Sequence, residues 1–214
     1  IVIPVLNEEA VICEAIGRIR SLSGGGAAEI IVVDGDPAGG TLRAIPDGAC
    51  RKLLCEPGRG GQLNRGAGAA SGEILIFLHA DTKLPPDALI RIGEALRNPT
   101  LAGGAFDLAI DSRRRAFRSI ERVASIRTRL TRIPYGDQAI FLRRARFQSL
   151  GGFRDLPIME DVDLMRRIKH AGGRITILPE RAVTSARRWE QEGILYTTIR
   201  NWFLVTLFLL GVDA

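Results

Sequence analysis

Short uninterrupted apolar runs alternate along this chain with longer stretches in which apolar residues recur every three or four positions. The runs are Ile1 to Val5, Glu29 to Val33, a weaker Lys52-Leu53-Leu54 and Ile74 to Leu78. Runs of this kind are expected of strands covered on both faces. Between them, Asn7-Glu8-Glu9 opens a helix running to about Ser21, with Val11, Ile12, Ala15, Ile16 and Ile19 spaced to cover a sheet, and Gly24-Gly25-Gly26 ends the unit. Pro37 to Gly40 read as a loop into Thr41, and the alanines and glycines of Gly58 to Gly72 suggest a helix packed closely on the sheet. The resulting β-α-β-α-β-α-β order predicts a parallel sheet with right-handed crossovers.

Past the fourth strand, Asp87 is placed to cap a helix over Ala88 to Leu96. Ala102 to Ile110 then reads as a strand and Ser112 to Arg132 as a basic amphipathic helix, whose apolar stripe is Phe117, Ile120, Val123, Ala124, Ile126 and Leu130. The expected arrangement is a core stripe under a solvated arginine face. Docking at a membrane surface is the alternative. Ala139 to Leu142 and Arg174 to Leu178 are further strands, Val162 to His170 a helix, and Gly193 to Leu210 a closing helix. The whole of 1–214 reads as one unit, without repeat or linker.

Composition adds two constraints. Thirty basic against twenty-four acidic residues give a net charge of +6 and a pI near 9.9. Such a balance suits phosphate-bearing ligands, anionic membranes or nucleic acid, and speaks to association without naming a chemistry. Cys13, Cys50 and Cys55 are odd in number and lack CxxC spacing, so neither a zinc site nor a disulfide framework is indicated, and a reducing compartment is expected. The chain opens inside a strand without an initiator methionine, so upstream residues or a processed leader are expected to precede it. The most apolar segment, Trp202 to Val212, is shorter than the roughly 20 residues a spanning helix needs.

The polar residues that matter stand where strands end. In open α/β sheets, ligands bind beyond the carboxyl ends of the strands. The second strand ends in Asp34-Gly35-Asp36 and the fourth in His79-Ala80-Asp81. Carboxylates gathered at that edge suit a divalent cation, which in turn holds a diphosphate; alternatively each caps the loop that follows, the favoured reading for Asp36. His79 is read as a second ligand, a donor to phosphate or a strand-end histidine, and an imidazole there favours a manganese-like ion. Lys83 adds charge near Asp81. Arg59, at a helix start, is placed to meet an anion. Glu160-Asp161 opens another helix, with Asp161 the candidate general base and an N-cap role its competitor. Arg187-Arg188-Trp189 offers cations and a ring for a phosphate or a sugar. The glycines form neither GxGxxG after the first strand nor GxxxxGK[ST], which argues against dinucleotide enzymes and P-loop NTPases.

Six segments in order, IPVLNEE at Ile3 onward, VVDGD, GRGGQLNRGAGAASG, FLHADTKLP, GGFRDLPIMEDVDL and RRW, resemble the family 2 glycosyltransferases. FLHADT, YGDQAIFLRR and SARRWEQEG are similar to a small bacterial branch associated with radical-SAM and selenodomain proteins and with arsenosugar biosynthesis. The resemblance implies an α/β fold of the GT-A nucleotide-diphospho-sugar transferase type, a mostly parallel central sheet with helices on both faces. Residues 1–100 would form the nucleotide-binding half and 101–214 the acceptor-binding half. It implies inverting transfer from a nucleoside-diphosphate sugar to an acceptor hydroxyl on a small molecule, glycan or lipid, with Mn or Mg as the divalent metal. Pro4, Leu6 and Glu8 would line the nucleotide pocket, Asp34 meet the base, Asp36 the ribose, and Arg59 and Lys83 lie near the nucleotide diphosphate. Asp81 and His79 would hold the metal and diphosphate, Asp161, next to Glu160, would serve as the base, and Arg187 or Arg188, next to Trp189, would clamp the diphosphate.

Two positions depart from the family pattern: Gly39 stands where a second aspartate is usual, and His79 where the first metal-motif aspartate is usual. A cytoplasmic location with peripheral membrane contact is expected, and a nucleic-acid partner is not. A non-catalytic nucleotide-binding or membrane-docking member of the same fold is the alternative. A sugar-1-phosphate nucleotidyltransferase is disfavoured, because no GxGTRxxP-like loop follows the first strand.

Overall fold

The computed structural model describes residues 1–209. The last residues of the closing helix and of the apolar segment predicted to run to Val212 lie outside the described residues. The strands among the described residues are β1 Val2–Val5, β2 Ile31–Asp34, β3 Arg51–Leu54, β4 Ile74–Ile76, β5 Leu101–Asp111, β6 Phe141–Arg143 and β7 Arg174–Ser185. The helices are α1 Glu9–Ser21, α2 Gly40–Ala44, α3 Arg59–Ala69, α4 Ala88–Ala95, α5 Arg115–Thr131, α6 Arg144–Ser149, α7 Glu160–His170, α8 Arg187–Glu192 and α9 Ile194–Leu209.

β1, β2 and β3 pair in parallel. A second group runs in the order β4-β6-β5-β7. The two groups join where Val2 bridges Phe77 in parallel and the Leu78 amide donates to the Val2 carbonyl at 3.0 Å. The expected parallel sheet is therefore interrupted at one place. β6 lies antiparallel between β4 and β5, and is reached from β5 through α5 and the turn at Gly136–Gln138.

Alternation along the strands sorts the core into two layers. Ile3, Val5, Val32, Ile76 and Leu78 face α1 and α4 through Ile12, Ile16, Ile19, Ala88 and Ile92. Val2, Ile31, Val33, Leu75 and Phe77 face α3 and α7 through Leu63, Ala67, Leu164, Met165 and Ile168. A strand with both faces covered must be apolar at successive positions, which is why these strands read as uninterrupted runs. At Gly66 of α3, a Cβ atom would stand 2.3 Å from Val2 Cγ1 and 3.0 Å from Val33 Cγ2. The glycine is thus what lets the helix lie against the sheet, as its composition suggested.

Two expectations fail here. Asp87 occupies the N-cap position of α4 but makes no side-chain cap bond; its carboxylate accepts from Arg91 Nε at 2.8 Å instead. The apolar stripe of α5 is only half right. Phe117 is fully buried, whereas Val123, Ile126 and Leu130 are exposed, Leu130 at 79%. The face turned to β5 carries Glu121 and Thr128 instead. Glu121 accepts from the Ile110 amide at 2.7 Å and pairs with Arg118 at 2.9 Å. Ser125 donates to Asp107 at 2.8 Å. This polar seam follows from a register shift in β5–β7 between Phe106 and Asp107, where the irregular ladder leaves polar groups that α5 side chains satisfy.

Candidate active site

The carboxyl ends of β1, β2 and β4 form one rim of a cleft, and α7 with the turn at Gly136–Gln138 forms the other. At the β1–β2 end, Gln62 of α3 donates to the carbonyls of Val5 at 2.8 Å and Val33 at 2.9 Å, tying the two strand ends together. Sequence reasoning gave Gln62 no part, since a buried amide on a helix carries no signature of its own.

Asp34 is fully buried. Its carboxylate accepts from the amides of Asp36 at 3.0 Å and Leu42 at 3.4 Å, so it holds the turn and offers no surface to a base. Asp36 accepts from Ala38 at 2.9 Å and Gly40 at 3.2 Å. These amide bonds hold its carboxyl below the usual range. The capping reading therefore describes Asp36, and both aspartates shape the loop. Pro4 is half-buried, Leu6 is exposed and Glu8 is half-buried on the same rim.

Lys83 departs further from expectation. Its ammonium pairs with Asp111 at 2.8 Å, at the end of β5, so it does not stand free for a diphosphate.

Asp81 lies half-buried one turn beyond β4. Among the described residues its carboxylate makes no hydrogen bond or ion pair. Beside it, burial, then the charges of Arg59 and Arg188, push the His79 imidazole down to about 3. The ring is neutral at physiological pH, as a metal ligand or hydrogen-bond acceptor must be. Among the described residues no third acidic, histidine or cysteine side chain joins them as a preformed metal cage.

On the opposite rim, Asp161 sits in the first turn of α7. It is not the N-cap, which is Met159 in a left-handed conformation at φ 67°. Asp161 Oδ2 accepts from the Gly136 amide at 2.6 Å, and Oδ1 from the Val162 amide at 2.7 Å. A Cβ on Gly136 would stand 2.9 Å from His79 Nε2 and 3.4 Å from Asp161 Oδ2. That close approach brings the β4 end and the α7 start to one place. Glu160 is 2% exposed, and its carboxylate accepts from Arg59 Nε. Burial pushes the Glu160 carboxyl up in spite of Arg59. Arg59 thus meets an anion as expected, but that anion is Glu160. Glu160 in turn is engaged in orienting the start of α7 and does not present a free base.

The Arg187-Arg188-Trp189 cluster divides. Arg187 pairs with Glu8 at 3.2 Å across the cleft mouth, Arg188 acts on His79 by its charge, and Trp189 packs edge-on against Phe117 at 6.1 Å. The ring packs, partly buried, on a small apolar cluster with Ile110 and Ala186.

The turn before β6 supplies residues that the sequence reading left without a role. Asp137 is half-buried with Oδ1 enclosed and unpartnered among the described residues. Burial pushes its carboxyl up to about 6. Arg127 stands 3.3 Å from the Tyr135 ring centroid, and burial lowers its guanidinium to about 10. The YGDQ string was visible, but nothing in its spacing marked the aspartate.

Known proteins resemble this arrangement at several levels. Glucosyl-3-phosphoglycerate synthase of Mycobacterium tuberculosis is 37% identical over 90 residues, which is 38% of this chain and 28% of that protein. The mannosyltransferase PcManGT of Pyrobaculum calidifontis, solved with GDP-Man and Mn2+, superposes with a TM-score of 0.69 at 23% identity, over 85% of this chain and 55% of that one. TarS of S. aureus (residues 1–349), solved with UDP-GlcNAc, gives 0.66 at 15% identity, over 86% and 57%. At such identities these structures carry the GT-A fold alone. The chain also spans only part of these relatives. Residues 1–152 match the family described as Glycosyl transferase family 2, which is well over half of the 214 residues. The chain therefore belongs to glycosyltransferase family 2.

Proposed function

We propose that this protein transfers a sugar from a nucleoside-diphosphate sugar to an acceptor hydroxyl with inversion at the anomeric carbon. The observation that carries the reading is the meeting at Gly136 of Asp161 with a neutral His79, which stands two positions before Asp81, whose carboxylate has no protein partner among the described residues. Asp161 takes the proton of the acceptor hydroxyl. The freed oxygen bonds to the anomeric carbon as the bond from that carbon to the β-phosphate oxygen breaks, and the electron pair leaves with the nucleoside diphosphate. Arg188 is the cation placed to balance the departing charge, and Arg187 closes the mouth through Glu8. Pro4, Leu6 and Glu8 line the nucleotide side.

Asp81 and His79 would hold a divalent cation, Mn or Mg, since such cations can bind with one or two protein side chains. When bound it would supply positive charge to the leaving diphosphate. PcManGT was solved with Mn2+, which supports manganese. Residues 1–100 serve as the nucleotide half and 101–214 as the acceptor half. The branch associated with radical-SAM and selenodomain proteins remains the subgroup we propose, on its FLHADT, YGDQAIFLRR and SARRWEQEG segments.

The same reading includes a cytoplasmic protein in peripheral contact with a membrane. Among the described residues no helix is long and apolar enough to cross one. Three free cysteines fit a reducing compartment. Val123, Ile126 and Leu130 on α5, and Leu195, Tyr196, Ile199 and Phe203 on α9, are exposed. An arginine-rich helix with such a stripe is suited to an anionic lipid surface.

Calorimetric titration with UDP, GDP and their sugar conjugates, with and without manganese, tests the central reading. One nucleotide should bind in a metal-dependent way, and Asp81→Ala should lose that dependence. Absence of binding to every nucleotide would refute it and leave a non-catalytic docking protein of the same fold.

A further inference from the structure

The turn at Gly136–Gln138 is held more firmly than its length requires. Gln138 is fully buried. Its Oε1 accepts from Thr128 Oγ1 at 3.1 Å and from the Tyr135 amide at 3.2 Å, and its Nε2 donates to the Phe106 carbonyl at 3.0 Å. Thr128 is fully buried on α5, and Phe106 lies in β5. One side chain thus ties the turn to a helix and to a strand. It fixes the Tyr135 amide directly, and the next amide in the chain, that of Gly136, is aimed at Asp161 Oδ2 at 2.6 Å.

Among the described residues the Asp161 carboxylate accepts from two amides. That of Val162, at 2.7 Å, belongs to the same helix and moves with it. The Gly136 bond comes from outside α7, so it is the one that fixes the carboxylate relative to the strand ends. A carboxylate oxygen has two lone pairs, and one amide leaves the other free to take a proton. Proton transfer demands this kind of placement, because a base that swings away from the line of attack loses rate steeply. A site of this precision needs neighbours whose own positions are locked by packing and hydrogen bonds.

We propose that Gln138 and Thr128 are positioning residues for the base, setting through the Tyr135 and Gly136 amides the direction in which the Asp161 carboxylate meets the acceptor hydroxyl. The inference rests on the transferase reading above and adds the parts that orient its base. Both side chains are sealed from the cleft and act through the turn alone.

Gln138→Met would leave the Tyr135 amide and the Phe106 carbonyl without this partner, at a cost to the fold. The test is therefore made at Thr128. Thr128→Val keeps the shape and removes one bond to Gln138, and Thr128→Ser restores the hydroxyl. Release of nucleoside diphosphate is measured with the donor selected by the binding titration, water being the acceptor. In Thr128→Val kcat should fall at least about 5-fold, the factor expected for one net hydrogen bond, while the donor KM stays within about 2-fold. Thr128→Ser should return kcat to within about 2-fold of wild type. Hydrogen exchange at the Gly136 amide, followed by NMR relative to the amides of β1, should be at least about 5-fold faster in Thr128→Val. Equal kcat in the variant and wild type, including no release by either, would overturn the proposal. So would a loss carried by the donor KM, a loss that serine does not recover, or Gly136 exchange as slow as in wild type; each would leave the network a support of the fold. Nucleotide binding, measured without turnover, reports separately on the transferase reading.

Discussion

Replacing Arg59 by methionine keeps the apolar stem and removes the guanidinium bonded to Glu160. Glu160 is 2% exposed, so the variant must either bury an unpaired carboxylate or protonate it. Protonation sets the ceiling. For a carboxyl of ordinary pKa 4.5, taking up a proton at pH 7 costs about 3.4 kcal/mol. The actual loss is smaller, because the Arg59 side chain is 40% exposed and water screens the pair, and because burial has already raised Glu160 in the wild type. We expect about 1–2 kcal/mol near neutral pH.

The sign follows from proton counting. In the variant, folded Glu160 keeps its proton to higher pH than the unfolded chain does, so stability is intact below about pH 4.5 and is lost as pH rises. Thermal melts of wild type and Arg59→Met should therefore coincide near pH 4.5 and separate by about 2–8 °C near pH 8, at about 2–4 °C per kcal/mol for a chain of this size. The double variant Arg59→Met/Glu160→Gln should recover most of the difference. A gap between the single variant and wild type that does not change with pH, or a double variant no better than the single one, would refute the view that a buried charge is being compensated.

Asp137→Asn should stabilise the protein. Its carboxyl stands at about 6 against an ordinary 3.8, so the stability present below about pH 4 is lost as pH rises toward 6, and the amide escapes that loss; urea midpoints at about pH 7 should show a gain of about 1–2 kcal/mol that vanishes near pH 4. On α5, Ile126→Glu/Leu130→Glu should weaken cosedimentation with phosphatidylserine-containing vesicles at least about tenfold, since each buried aliphatic side chain contributes about 1.5–3 kcal/mol. Unchanged sedimentation would remove α5 from the membrane face.

The strands were legible because each one is buried on both sides, so local composition and tertiary environment agree along β1, β2 and β4. Helix α5 was misread for the opposite reason. Its environment is the irregular ladder of β5 and β7 together with the buried Gln138, whose polar groups draw Glu121, Ser125 and Thr128 inward and leave an apolar stripe outside. A periodicity argument has no access to such a partner. Within the site, His79 and Asp161 meet at Gly136 from a strand end and a helix start, positions whose directional chemistry is legible in a sequence. The protein partners of Lys83, Trp189 and Asp34 were not legible, those of the first two being distant in sequence: Asp111, Phe117 and the amides of the following loop. Asp137 and Arg127 come together only when the chain turns back after α5, so no spacing rule links them to the base.

The Arg187–Glu8 contact sets how freely the cleft exchanges its contents. With Arg187 51% exposed, such a pair contributes about 0.5–1 kcal/mol. That corresponds to the latched form outnumbering the unlatched by only about two to five. Trp189, packed on Phe117, gives this segment a fixed pivot, while its cationic end is held weakly enough to release on thermal fluctuation. Exchange of donor and nucleotide past this segment should then accelerate with ionic strength, as screening weakens this ion pair.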